Sequence, residues 1–82
     1  MAAGDIDLVV TGPDGRLWNI TVLCRPGSSV RDWEVRDGSG HKVADGWSYR
    51  GPEAARKAAE KAYRKASGAA SVHGTALVRR GG

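Results

Sequence analysis

Pro52–Ser67, PEAARKAAEKAYRKAS, is the stretch that decides the fold: six of its sixteen residues are alanine and seven are Lys, Arg or Glu. Helix punctuation stands at both ends. Gly51 can serve as the cap, and Pro52 suits the first helical position, where an N–H would have no partner anyway. Glu53 complements the positive end of the dipole, and Gly68 is the stop. Wound at about 100° per residue, Ala54, Ala55, Ala58, Ala59, Ala62, Tyr63 and Ala66 fall on one apolar stripe. Lys57, Lys61, Arg64 and Lys65 lie opposite, with Arg56 and Glu60 on the flank. The four-residue spacing predicts ion pairs from Glu53 to Lys57 and from Glu60 to Arg64, about 0.2–0.5 kcal/mol each. Alanines carry little bulk, so the helix must lie close on a sheet that supplies most of the core volume.

The residues before it read as that sheet. Ile6, Leu8 and Val10 share one face of a first strand, and Trp18, Ile20, Val22 and Cys24 one face of a second, with Leu17, Asn19, Thr21 and Leu23 on its other face. Between them Gly12-Pro13-Asp14-Gly15 predicts a hairpin turn. Arg25-Pro26-Gly27-Ser28-Ser29 breaks the second strand. Val30 to Asp37 then alternates cleanly, Trp33 and Val35 against Asp32, Glu34 and Arg36. After Gly38-Ser39-Gly40, residues His41 to Tyr49 place Val43, Trp47 and Tyr49 at one parity with Asp45 among them. A bulge at Asp45-Gly46 would relieve that conflict. Beyond Gly68, the segments Ala69 to Val72 and Thr75 to Val78 read as a short, Gly-interrupted final strand or tail. The expectation is an α+β fold in one domain, 1–82, with frayed ends at about 1–4 and 79–82: a four-stranded antiparallel meander, one C-terminal helix on one face, and a short final strand at an edge.

Composition sets limits on function. A chain of 82 residues has no room for a second core. Its longest apolar run is too short for a membrane span. MAAGDIDL at the start has acids where an export signal needs a basic start and an apolar core. With one cysteine there is no internal disulfide, which agrees with a cytoplasmic location. Charge is divided unevenly. Residues 1–51 hold six Lys or Arg against seven Asp or Glu, and residues 52–82 hold seven against two. The net charge of +4 therefore belongs to the helix and tail, an asymmetry that favours polyanion partners.

Trp33-Glu34-Val35, Glu53-Ala54-Ala55, Ala58-Ala59 and the run Gly68-Ala69-Ala70-Ser71-Val72-His73-Gly74 also carry a resemblance. The chain resembles small bacterial domains of unknown function in which a W-x-V strand and a hairpin precede an alanine-rich helix and a strand ending His-Gly. Its layout is similar to the phage integrase arm-binding domain and the plant ethylene-response DNA-binding domain. That resemblance implies a sheet backed by a helix, with the sheet entering the major groove. Here the strand region sums to −1, and only Arg16, Arg36, Lys42 and Arg50 are placed to serve groove reading.

The remaining chemistry is sparse. His41, His73 and Cys24 make no recognisable ligand spacing, so no metal or other cofactor is expected. Cys24 reads as a small core residue and His41 as a solvated loop residue, while Asp5, Asp7 and Asp14 read as edge charges that discourage aggregation. No nucleophile, base and acid stand in a catalytic pattern, so an enzyme is not expected. Trp18 and Trp33 read as core. Trp47 reads as core or helix packing, the other option being a rim where its ring stacks on a base. Two surfaces remain as candidates. Lys57, Lys61, Arg64 and Lys65, extended by Arg79 and Arg80, form a face able to contact nucleic-acid phosphates, unless it is only a solvated helix face. On the second sheet face, Val9, Leu17 and Leu23 form an apolar patch suited to a protein partner or a homodimer.

Overall fold

The computed structural model describes residues 5–24, 27–70, 72 and 74–79. Its elements are β1 (Asp5–Thr11), β2 (Leu17–Cys24), β3 (Arg31–Arg36), β4 (Lys42–Ser48), α1 (Pro52–Ser67) and β5 (Gly74–Arg79). The five strands form one sheet in the order β4-β3-β2-β1-β5, every neighbouring pair antiparallel. The fold is therefore α+β: a four-stranded meander covered on one face by the C-terminal helix, with the last strand at the edge beside β1. The final strand is continuous from Gly74 to Arg79, and Ala69 and Val72 pack against the core.

Each connection follows local chemistry. In the first hairpin the Gly12 N–H donates to the Arg16 carbonyl at 2.8 Å, and Gly15 takes a positive φ of 78°. The Asp14 carboxylate accepts the Arg16 N–H at 3.0 Å and the Trp18 indole N–H at 3.2 Å, so the turn also fixes the largest core ring of β2. Asp14 is thus a turn and indole acceptor. Asp7 also departs from the edge-charge reading: it is buried, on a strand enclosed by β2 and β5. In the β3–β4 turn, Asp37 Oδ1 accepts the Ser39 hydroxyl at 2.8 Å, the Ser39 N–H at 2.9 Å and the His41 N–H at 3.1 Å. These bonds, the Ser39 hydroxyl foremost, hold the Asp37 carboxyl below its ordinary value.

The core is built of cross-strand rows. Leu8, Ile20, Val35 and Ala44 make one, and Ile6, Val22, Trp33 and Gly46 the next. Gly46 lies in the regular ladder opposite Trp33, and a Cβ there would sit 2.5 Å from the indole Cζ2. The ring of Trp33 fills the space that glycine leaves. The bulge accordingly lies earlier than Asp45-Gly46: Val35 pairs with Ala44 and Arg36 with Lys42, so Val43 is the extra residue.

The helix packs on β2, β3 and β4. Ala55, Ala59 and Tyr63 are fully enclosed, Ala54, Ala58 and Ala62 are half-buried, and Ala66 at the end of the stripe is exposed. Methyl side chains let the helix backbone come near the sheet, while Tyr63 supplies the volume. Its ring meets Trp18 edge-on, centroids 5.5 Å apart at 79°, a contact worth about 0.5–1.5 kcal/mol beyond its burial. Its hydroxyl donates to the Thr11 carbonyl at 3.4 Å. The ends match the sequence reading: Pro52 opens the helix after Gly51, and Gly68, at φ 79°, closes it with its N–H on the Arg64 carbonyl.

Candidate functional site

Two surfaces remain outside this core, and they differ in charge. On the helix, Lys57, Lys61, Arg64 and Lys65 are all exposed. They occupy positions four, three and one residue apart in turn, over about 12 Å of helix at 1.5 Å rise per residue. Neither predicted helix pair forms. Glu60 instead binds Arg56, Oε2 to Nε at 2.9 Å, where both side chains are half-covered. That choice leaves Arg64 unpaired, and among the described residues none of the four cations has an acid within ion-pair distance. Arg64 and Lys65 also lie in the last turn, where cations suit the dipole.

Of the expected extension of this face, Arg79 alone falls among the described residues. Arg79 closes β5 opposite Asp5, at the end of the sheet away from Thr11, where Tyr63 docks. Its backbone therefore stands at the other end of β1 from the Tyr63 contact, and it is the last residue of a strand, not part of a frayed tail. Arg80 lies outside the described residues, as does His73. Of the four sheet-region cations, Arg36 is held by Glu34 at 3.3 Å and Lys42 by Asp45 at 2.9 Å. Arg16 lies along Gly38, where a Cβ would come within 2.4 Å of its own Cβ.

The open sheet face is laid out by the opposite parity. Asp7, Thr21, Glu34 and Asp45 form one cross-strand row, and Leu23, Asp32 and Trp47 an adjacent one. The apolar patch read from Val9, Leu17 and Leu23 is not a unit. Val9 is half-buried, and Leu17 and Leu23 sit at opposite ends of β2, about 20 Å apart at strand rise, with Asn19 and Thr21 between them. Leu23 joins a different neighbour. With Asp32, Glu34, Lys42, Asp45 and Trp47 it lines a shallow groove of about 400 Å³.

Trp47 corrects the sequence reading most clearly. It is 62% exposed, on the open face, with its ring 6.1 Å from that of Tyr49, itself exposed. Had Gly46 been taken as the inward gap for Trp33, Asp45 and Trp47 would have followed as outward neighbours. Cys24 is half-buried at the end of β2 and His41 is exposed in its turn, its Nδ1 3.1 Å from the Ser39 hydroxyl. Among the described residues, no group of His, Cys, Asp and Glu is arranged to hold a metal ion, and no helix is long and apolar enough to cross a membrane. No family model matches the chain, and no curated protein or solved structure is detectably similar to it.

Proposed function

We propose that this chain is a small, non-enzymatic, cytoplasmic binding module that contacts nucleic acid through its basic helix face. The observation that carries this reading is that Lys57, Lys61, Arg64 and Lys65 all project from one side of α1 with no acid among the described residues within ion-pair distance, while Arg36, Lys42 and Arg56 are each held by a carboxylate. The open sheet face bears Asp32, Glu34 and Asp45, so phosphates are directed to the helix and away from the sheet. Four point charges on one stripe contact backbone phosphates and do not read bases, so binding is salt-dependent and indifferent to sequence.

The test is retardation of duplex and single-stranded DNA and RNA across a salt titration. Four neutralised phosphates give a slope of about −3 to −4 in log K against log salt. Reversing Lys57, Lys61 and Lys65 to glutamate removes binding and leaves the melting transition in place. A wild-type chain that retards no probe at low salt refutes the reading.

A second reading is favoured by one specific observation, the exposed Trp47 beside the groove. On it the chain binds a protein partner, or a second copy of itself, through the open sheet face. Leu23→Lys then breaks the complex without unfolding the chain.

A further inference from the structure

Trp47 is a large apolar group in water, at the mouth of a groove, on a sheet face that no element of the described chain covers. Leu23 lines the same groove and Tyr49 lies beside the Trp47 ring, both exposed, so the three form a cluster of exposed apolar side chains of the kind that marks contact surfaces. The charges around it decide what fits. Among the described residues, Asp32, Glu34 and Asp45 line the groove with Lys42 as the cation in its lining, and Arg36 reaches Glu34 from beside it. The ion pairs of Glu34 with Arg36 and of Asp45 with Lys42 each use one carboxylate oxygen, Oε2 and Oδ2, and leave the other oxygen to accept a further donor. An anionic ligand is repelled here, and a purely apolar one would strip water from carboxylates without replacing its hydrogen bonds.

A lysine or arginine side chain meets both demands. Its aliphatic stem lies along Leu23 and Trp47, its charge rests over the indole, and its N–H groups bond the free carboxylate oxygens. We infer that this groove docks a Lys- or Arg-bearing segment of a partner protein. The inference rests on the protein-interaction reading of the open face and deepens it from apolar contact to recognition of a cation.

The experiment titrates the isotopically labelled full chain with triarginine and trilysine, with triglutamate and side-chain-acetylated trilysine as controls, while following the tryptophan indole N–H resonances. The Trp47 indole and the Asp45 and Gly46 amides shift saturably with the cationic peptides, and the Trp18 indole stays in place. Trp47→Ala, and separately Glu34→Gln with Asp45→Asn, weaken binding about tenfold or more, as loss of an interface hot spot does, and melt as wild type does. An equal response to the controls, no shift at millimolar peptide, or binding indifferent to both variants overturns the inference. So do Trp47 shifts that follow protein concentration without peptide, which would place a second copy on this face. A protein complex broken by Leu23→Lys but blind to Glu34→Gln with Asp45→Asn would overturn cation recognition and leave the interface reading standing.

Discussion

The two faces of β2 differ by one residue in register and by everything in environment. Trp18, Ile20 and Val22 are enclosed between sheet and helix, while Leu17 and Leu23, as apolar as they are, stand in water on the other side. Hydrophobicity alone did not sort them. What sorted them is that one helix covers one face, and the alanine stripe is long enough to close only that one. The same contrast divides the tryptophans: Trp33 fills the gap above Gly46, and Trp47, one residue further along β4 than Gly46, points away from it.

Changes on the enclosed face break this contrast with the largest effects. Ile20→Ala removes a fully buried side chain and is expected to cost about 2–5 kcal/mol, read by denaturant midpoint, whereas Leu17→Ala on the same strand stays within about 0.5 kcal/mol. Equal costs would show that the open face is covered after all. Ala59→Leu forces extra volume between helix and sheet where Ala59 is fully enclosed, and is expected to destabilise by about 1–3 kcal/mol. Gly46→Ala places its methyl against the Trp33 ring, and a loss of similar size should appear together with a change in near-ultraviolet circular dichroism; a silent substitution would show that the indole has room to move.

On the exposed side the expected effects are small. Trp47→Ala leaves stability within about 0.5 kcal/mol, since its ring is mostly in water, and a large loss would return Trp47 to the core. Asp37 gives the smallest change. Its carboxyl is lowered in the folded chain, so its contribution is present above the ordinary aspartate range and is lost as pH falls through the depressed value. Asp37→Asn should therefore flatten the acid limb of the stability curve slightly and leave it unchanged near neutrality. An unaltered acid limb would mean that the Ser39 and His41 bonds do not favour the charged form.

Much of this was legible along the chain because local rules agreed with one another. Pro52, Glu53 and Gly68 punctuate the helix through backbone chemistry that needs no tertiary partner, and the hairpin at residues 12–15 follows from turn residues alone. The errors share a cause. The bulge was expected at Asp45-Gly46 because Asp45 falls among Val43, Trp47 and Tyr49 in parity with a glycine beside it, but the glycine answers to Trp33, on the neighbouring strand. Asp7 reads as an edge charge along the chain, and β5, last in sequence, encloses its strand. Glu60 had arginines four residues away on both sides, and spacing could not choose between Arg56 and Arg64.

The sequence by itself determined the element order, the helix and its two faces, and the concentration of positive charge after residue 51. These depend on periodicity, capping and composition, which act over a few residues. Only the tertiary structure decided that Arg79 stands at the other end of β1 from the Tyr63 contact, that Val9, Leu17 and Leu23 do not form one patch, and that Trp47 opens a groove among carboxylates. Those are relations between strands, set by register and by which element covers which face, and register depends on side chains that meet across the sheet while lying far apart in the chain.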